Sequence, residues 1–150
     1  MTHMRIMGLD YGSKTVGVAV SDSLLKTAQP RETIRREREG MLRRTLARIE
    51  QIAREEDVRL IVVGLPLNMD DTVGERAEAA LAFRAMVEKR TGIRTVMSDE
   101  RLTTMEAREL LKEQGIKLSE YKTYVDQVAA NLILQEYMEN HQEEIHQLAE

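Results

Sequence analysis

The run Leu60–Gly64, with the sequence LIVVG, constrains the fold of this chain more than any other segment. An unbroken run of Leu, Ile and Val is typical of a strand that is buried on both faces of its sheet. Such a sheet needs a layer of helices on each side. The run is interrupted by Gly64 and followed by Pro66, and it is far shorter than the roughly 20 apolar residues that span a bilayer. It therefore predicts the centre of an α/β sheet and no membrane association.

The remaining patterns complete an α/β order of elements. The two apolar runs that precede it are joined by a Gly-Ser-Lys turn, which is typical of a hairpin. Pro30 places the next run at a sheet edge. The apolar spacing and the capping patterns predict, in chain order, strands over 6–10, 16–21 and 28–34, a helix over 36–56, a strand over 60–64, a helix from Thr72 to about Lys89 that ends at Gly92, a strand over 93–97, a helix from Thr103 to about Gln114 and a helix over 121–139. Residues 141–150 form a polar tail that is expected to fray or to extend the last helix.

Composition and charge limit the classes of function. A chain of 150 residues has the length of one ordinary domain, and without cysteine it has neither a disulfide framework nor a thiolate metal site. No signal peptide is expected before the first strand. The net charge of −4 does not favour binding to nucleic acid. The stretch Arg31–Arg48, however, holds seven arginines and three glutamates, which predicts a local basic surface on an acidic protein.

Asp10 ends the first strand at a position where an apolar residue would be easier to bury. Alternate residues of a strand share a face, so Asp10 lies on the same face as Gly8. A glycine leaves room for another element to approach the strand. The structural alternative is an Asx turn, in which Asp10 accepts hydrogen bonds from the amides of the turn that follows.

Further acidic residues occupy comparable positions later in the chain. Asp99 and Glu100 follow the last strand, at the edge where open α/β sheets bind ligands, although acids there also favour the start of the next helix. Asp126 begins an apolar stripe that continues through Ala129 and Ala130, whose small side chains would let the helix approach a strand backbone. The alternative for Asp126 is an exposed acid that compensates the helix dipole.

If these acids converge, they can bind a hard cation. Carboxylate oxygens and water are the ligands that Mg²⁺ prefers, and a pair of such ions about 4 Å apart can hydrolyse a phosphodiester. Neighbouring strand residues point to opposite faces, so either Asp99 or Glu100 is expected to face Asp10, and we favour Glu100. Without metal, the crowding predicts a raised pKa for one of the carboxyl groups.

Taken together, the quoted segments resemble a known family. The sequence is similar to the YqgF family, also called RuvX, through four blocks that run from residue 5 to about 138: GLDYGSKTVGVAVSD, VVGLPLNMDDTVGERA, SDERLTTMEA and VDQVAANLILQEYM. The resemblance implies the ribonuclease H-like fold of the RuvC Holliday junction resolvases, with a mixed five-stranded sheet flanked by helices. It implies a single nuclease domain over residues 1–150. Asp71 departs from the family pattern, which has Gly at that position.

The resemblance also implies a function and its residues. A member of this family is expected to be a cytoplasmic endonuclease, dependent on Mg²⁺ or Mn²⁺, that matures the 5′ end of 16S ribosomal RNA as a monomer or homodimer. The implied metal ligands are Asp10, Asp99 or Glu100, and Asp126, with catalysis assigned to Asp10, Glu100 and Asp126. The candidates for nucleic-acid contact are Lys14, Asn68, Arg101 and Lys122.

Several other functions stay open at this point. The same chemistry would cut branched DNA, in the manner of a Holliday junction resolvase. A factor that keeps the fold and binds nucleic acid without efficient cleavage is another alternative, and the net negative charge favours it. The first block also resembles the phosphate-binding hairpin of actin-like and sugar-kinase ATPases, but that class needs a second lobe, for which 150 residues leave no room.

Overall fold

The computed structural model describes residues 4–65, 74–99, 109, 112–115 and 121–149, with the backbone alone at 121–124 and 149. The order of the five strands and of the first two helices is as the sequence predicts, and two further described helices follow the last strand. In chain order they are β1 Arg5–Tyr11, β2 Thr15–Ser21, β3 Ala28–Arg35, α1 Arg43–Glu55, β4 Val58–Leu65, α2 Glu75–Thr91, β5 Thr95–Asp99, α3 Tyr121–Asn140 and α4 Gln142–Ala149.

The strands form one mixed five-stranded sheet in the order β3-β2-β1-β4-β5. The pairs β1–β2 and β2–β3 are antiparallel, whereas β1–β4 and β4–β5 are parallel. This arrangement confirms the predicted hairpin beside parallel strands, and it confirms the edge position that Pro30 predicted for β3. The carboxyl ends of β1, β4 and β5 meet at one edge of the sheet, because these three strands run in the same direction.

Helices cover both faces of the sheet, as the run in β4 predicted. On one side, called here the α1/α2 face, large apolar side chains of the sheet pack against helix residues such as Ile52 and Phe83. On the other side, called here the α3 face, a second cluster includes Ala130, Ile133 and Leu134. Successive residues of β1 alternate between the two clusters, so the strand is buried from both sides.

The helix α1 begins at Arg43, so the predicted start at Arg36 is wrong. Arg36 instead fastens the β1–β2 turn, because its backbone N–H donates to the Lys14 carbonyl at 2.8 Å and its guanidinium donates to the Gly12 carbonyl at 2.7 Å. The apolar stripe that predicted this helix begins only at Leu42, beside the observed start of α1. The next helix, α2, begins after Gly74 without a side-chain cap, and the predicted Thr72 cap lies outside the described residues.

The ends of the later helices also differ from the predictions in part. Gly92 ends α2 in the left-handed conformation with φ of 72°, as predicted. The polar tail neither frays nor simply extends α3, since it forms the separate helix α4, whose Ile145 is buried on the α3 face. Most of the helix predicted over 103–114 lies outside the described residues. Among the helices that are described, none is long and apolar enough to cross a membrane.

Candidate active site

Asp10 lies at the carboxyl end of β1, near the middle of the sheet. Its neighbours on the strand alternate, with Leu9 in the cluster on the α1/α2 face and Ile6 in the cluster on the α3 face. Asp10 therefore shares the α3 face with Gly8, as predicted. In the β1–β2 pairing, Asp10 lies directly opposite Gly17, so the position beside the carboxylate has no side chain.

The two glycines on the α3 face allow α3 to approach the sheet backbone directly. A Cβ atom placed on Gly17 would overlap the backbone carbonyl of Asp126. A Cβ atom on Gly8 would lie 2.7 Å from the Leu134 Cβ and 2.8 Å from the Ala130 carbonyl oxygen, both closer than a real Cβ atom tolerates. The prediction that the alanine-containing stripe of this helix lies beside Gly8 is therefore confirmed. The same approach brings Asp126 to the strand pair that carries Asp10.

The electrostatics confirm that the two acids are close. Burial, and to a lesser extent the negative charge of Asp126, raise the pKa of Asp10 from 3.8 to about 7, although the positive charge of Arg76 acts to lower it. The raised pKa predicted for one of the carboxyl groups is found at Asp10, but burial is its larger cause and the nearby carboxylate of Asp126 is the smaller one. Asp126 itself is half-buried at the start of the apolar stripe.

Asp99 lies, like Asp10, at the carboxyl ends of the parallel strands, but on the α1/α2 face of the sheet and not on the α3 face. It ends β5 and pairs with Leu65 of β4. The backbone N–H of Thr95 donates to the Glu88 carboxylate of α2 at 2.9 Å, and Met97 packs in the α1/α2 cluster. By alternation, position 99 belongs to that face as well. Within the described ranges, no three acidic or histidine side chains gather closely enough to hold a metal ion.

The other predicted contact residues are placed only in part. Lys14 is exposed in the β1–β2 turn, close in sequence to Asp10. Lys122 lies in the first turn of α3, where the backbone alone is described. The remaining predicted site residues fall outside the described ranges, namely Asn68, Glu100 and Arg101.

The structure places two arginines beside the tip of β1, namely Arg36, which belongs to the predicted basic stretch, and Arg76, which the sequence reasoning did not consider. Tyr11, the residue after Asp10, stacks on Phe83 with ring centroids 4.3 Å apart, so its role is packing. The guanidinium of Arg36 lies 5.0 Å from the centroid of the Tyr11 ring, and that of Arg76 lies 5.5 Å from it. No local sequence pattern predicts that these two guanidinium groups lie around the Tyr11 ring, because the arrangement forms where the start of α2 meets the tip of β1.

The donor set at this edge fits a divalent cation. Asp10 and Asp126 offer hard carboxylate oxygens from a strand and a helix that are held together by backbone packing. The repulsion between the two carboxylates is unfavourable without a cation, and a bound divalent cation would relieve it. The pair would supply part of the coordination shell, with water and further oxygens completing it.

Comparison with known proteins identifies the family. A family model described as RuvX, Holliday junction resolvase, matches residues 4–140. The chain belongs to the RuvX family. The matched range contains both Asp10 and Asp126, together with every strand of the sheet.

Close relatives support this membership over nearly the whole chain. A protein of Lachnospira eligens is 59% identical over 139 residues, which are 93% of this chain and 99% of that protein. One of Agathobacter rectalis is 52% identical over 136 residues, which are 91% of this chain and 95% of that protein. Both carry the name "Putative pre-16S rRNA nuclease".

Solved structures establish the fold of this RuvX-family chain. The RuvC protein of T. thermophilus in complex with a Holliday junction substrate superimposes with a TM-score of 0.57 at 15% identity, covering 93% of this chain and 97% of RuvC. The fowlpox virus Holliday junction resolvase superimposes with a TM-score of 0.51 at 14% identity, covering 91% and 99%. The predicted ribonuclease H-like fold is therefore confirmed.

Proposed function

We propose that this RuvX-family chain is a metal-dependent endonuclease that hydrolyses phosphodiester bonds at the 5′ end of precursor 16S ribosomal RNA, in the cytoplasm. The observation that carries the proposal is the pairing of Asp10 with Asp126 at the carboxyl end of the central strand. Family membership supports the nuclease chemistry, and the names of the close relatives support the ribosomal substrate.

Asp10, Asp126 and Glu100 are the proposed ligands for Mg²⁺ or Mn²⁺. Alternation along β5 disfavours Asp99 as the ligand, because position 99 shares the face of Met97 and not that of Asp10, which leaves Glu100 as the proposed third ligand. A cation held by these carboxylates would supply Lewis-acid chemistry, by lowering the pKa of an attacking water and offsetting the negative charge of the phosphate.

The protein's own residues fix the geometry of this reaction. Asp10 is held by the central strand of a five-stranded sheet, and Asp126 is held by a helix whose backbone rests on Gly17. Neither carboxylate depends on a long flexible side chain for its position, so the ligand separation is set before substrate arrives. Lys14, in the adjacent turn, is proposed to contact a phosphate of the substrate. The same role is proposed for Asn68, Arg101 and Lys122.

A second candidate substrate is a branched DNA. The family description names a Holliday junction resolvase, and the site chemistry does not distinguish RNA from DNA. The choice depends on the shape of the surface around the carboxylates, so a direct comparison of substrates decides between the two.

The test is a cleavage assay with matched acidic variants. The parent protein is incubated with a 5′-extended 16S RNA fragment and with a four-way DNA junction, in Mn²⁺, in Mg²⁺ and in Ca²⁺. We expect metal-dependent cutting of the RNA, and a loss of cutting by orders of magnitude in Asp10→Asn and Asp126→Asn. Asp57→Asn is the control, because Asp57 is an exposed acid just before β4, at the opposite edge of the sheet, and its φ of 51° suits Asn.

Other results of the cleavage assay would point to a different substrate or mechanism. Cutting of the junction alone would replace the RNA substrate by branched DNA. Binding without cutting in Mn²⁺ and Mg²⁺ would favour a non-catalytic factor. Equal cutting by the parent and Asp10→Asn would refute the metal mechanism.

The third ligand is tested separately by two substitutions at neighbouring positions. Glu100→Gln is expected to abolish cutting to the same extent as Asp10→Asn, whereas Asp99→Asn is expected to retain most of the activity. The reverse order would assign the ligand to Asp99.

A further inference from the structure

Arg76 occupies an unusual position beside the paired carboxylates. It lies in the first turn of α2, and its Nη2 donates to the Tyr11 carbonyl at 3.4 Å while its Nη1 pairs with the Glu39 carboxylate at 2.6 Å. Its guanidinium also lies 5.5 Å from the centroid of the Tyr11 ring. These contacts orient the group at the tip of β1, one residue after Asp10.

The positive charge of Arg76 acts on the carboxyl group of Asp10. Among the groups that shift the pKa of Asp10, it is the cation that lowers it, so its field extends to the carboxylate pair. Its side chain is nevertheless 45% exposed. A cation that is near the acids and also open to solvent can contact a polyanion that approaches those acids.

The guanidinium of Arg36 also lies over the Tyr11 ring, but Arg36 has a different role from Arg76. It is half-buried, and it closes the β1–β2 turn through the Gly12 carbonyl. Its Nη1 is buried, and no acceptor for it is present in the described part of the chain. Arg36 therefore positions the turn and holds the ring from one side, which leaves Arg76 as the arginine that can reach a ligand.

We propose that Arg76 binds a phosphate of the nucleic-acid strand, exchanging the carboxylate of Glu39 for phosphate oxygens. The inference rests on the proposed nuclease function and adds a substrate contact to it. A guanidinium fork fits carboxylate and phosphate with the same planar geometry. Glu39 is itself 46% exposed, and exposed ion pairs contribute little to stability, so the exchange has a small energetic cost. Contact with the Tyr11 ring orients the guanidinium before substrate binds.

The same helix carries a matched control. Arg90 lies in the last turn of α2, is 40% exposed and pairs with the Glu50 carboxylate at 3.3 Å. It resembles Arg76 in exposure and in its glutamate partner, but it lies at the other end of α2. Replacing either arginine by alanine removes one positive charge from the same helix.

The experiment measures equilibrium binding of a 5′-extended 16S RNA fragment and of a four-way DNA junction across a salt series, with Ca²⁺ replacing the catalytic metal. For whichever of these the parent binds, we expect Arg76→Ala to weaken affinity about tenfold, as for the loss of a charged hydrogen bond, and Arg90→Ala to leave it unchanged. Arg76→Ala should also flatten the log–log salt dependence by about one unit, because one phosphate contact is lost. Arg76→Lys should recover the slope and part of the affinity, since it keeps the charge without the fork.

Glu39→Gln tests the exchange itself. Removal of the competing carboxylate should tighten binding two- to threefold by this reasoning, whereas Glu50→Gln should not. Thermal unfolding of all variants verifies that Arg76→Ala is folded to the same degree as Arg90→Ala. In cleavage, Arg76→Ala should raise KM more than it lowers kcat.

Several results would overturn the inference. Equal affinity and salt slope for Arg76→Ala and Arg90→Ala would remove Arg76 from the substrate surface. A loss of affinity in Arg76→Ala without a change in slope would mean that it acts through the fold. Unchanged binding by Glu39→Gln would exclude the exchange. If the parent protein neither binds nor cuts either probe, both the proposed function and the inference are wrong. If the parent cuts a probe but Arg76→Ala and Arg90→Ala bind it with equal affinity and salt slope, only the inference is wrong.

Discussion

The two faces of the sheet are packed in opposite ways. On the α1/α2 face, large side chains such as Ile61 and Phe83 fill the space between strands and helices. On the α3 face, Gly8 and Gly17 let the helix backbone rest on the strands. On the α1/α2 face, side chains separate the helices from the strands, whereas on the α3 face the helix backbone lies within a few ångströms of the strand backbone.

This difference in packing means that the α1/α2 face mainly contributes stability, whereas the α3 face mainly fixes the position of Asp126. Side-chain packing adapts to small changes in volume, because neighbouring side chains can shift. Backbone packing has no such freedom, so the position of Asp126 relative to Asp10 is fixed by the strands beneath α3. The α3 face should therefore be sensitive to the addition of a single methyl group, and the α1/α2 face should tolerate the loss of one.

The largest effect is expected for Gly17→Ala. The added Cβ would overlap the backbone of Asp126, so α3 must move away from β2. We expect a loss of about 3 kcal/mol or more in the free energy of unfolding, at the upper end of overpacking effects. A displacement of about 1 Å at Asp126 should lower cleavage about 10²-fold. Urea unfolding and a cleavage assay measure the two effects.

Gly40→Ala is the control for that substitution, because a Cβ atom there would have no described neighbour within 4 Å. It should leave stability and cleavage close to those of the parent. Parent-like behaviour of Gly17→Ala would mean that α3 does not rest on β2 in solution.

Gly8→Ala is expected to have the next largest effect. Its Cβ would meet the Leu134 Cβ at 2.7 Å and the Ala130 carbonyl at 2.8 Å, and these contacts lie further along α3 than Asp126 does. We expect a destabilisation of about 2 kcal/mol by overpacking, with a smaller loss of cleavage than in Gly17→Ala. A greater loss of cleavage than in Gly17→Ala would contradict this order.

Asp10→Asn should stabilise the metal-free protein at neutral pH. The pKa of Asp10 rises from 3.8 to about 7 on folding, so the folded protein holds this proton more tightly than the unfolded chain does. The group therefore favours folding at low pH, and its contribution declines as pH rises from 3.8 to about 7. Since Asp10 is only half-buried, we expect a gain of about 1 to 2 kcal/mol rather than the roughly 4 kcal/mol that a rise in pKa from 3.8 to about 7 would give in full.

Urea unfolding of the two proteins at several pH values measures this difference. The gain should vanish near pH 4 and reach its maximum above pH 7. Added Mg²⁺ or Mn²⁺ should raise the stability of the parent and have less effect on Asp10→Asn. A gain that is independent of pH would exclude ionisation of Asp10 as its cause.

Ile61→Val should have the smallest effect. Ile61 is fully buried on the α1/α2 face, and the loss of one methylene there typically costs about 1 kcal/mol. Cleavage per folded molecule should remain at the parent level, because the change is on the face away from Asp126. Reduced cleavage at full occupancy of the folded state would show that the two faces are coupled.

Sequence reasoning predicted the parts of the molecule that local pattern controls. The strand β4, the hairpin of β1 and β2 and the helix α3 all follow from apolar runs and helical spacing. The convergence of Asp10 with Asp126 was predictable because a glycine in a strand indicates close approach of another element. The same argument applies to Gly17, which was not considered although it lies opposite Asp10.

Other parts depend on contacts between distant segments and were not predictable in this way. The predicted helix over 36–56 rested on an apolar stripe that begins at Leu42, whereas Arg36 lies before that stripe and binds the β1–β2 turn. The tail after Asn140 is polar in composition, yet Ile145 gives α4 an attachment to the sheet. The place of Arg76 beside Tyr11 depends on where α2 begins, which local propensity does not determine.

The seating of α3 on Gly17 has a consequence for the timing of activity during synthesis. The hairpin that carries Asp10 emerges from the ribosome early, whereas α3 is made after every strand of the sheet is complete. A nascent chain therefore holds one carboxylate without its partner, and long-range contacts of this kind form late in folding. If Asp126 is the second metal ligand, as proposed, an unfinished chain lacks that ligand and cannot cut nucleic acid until α3 has docked on the sheet.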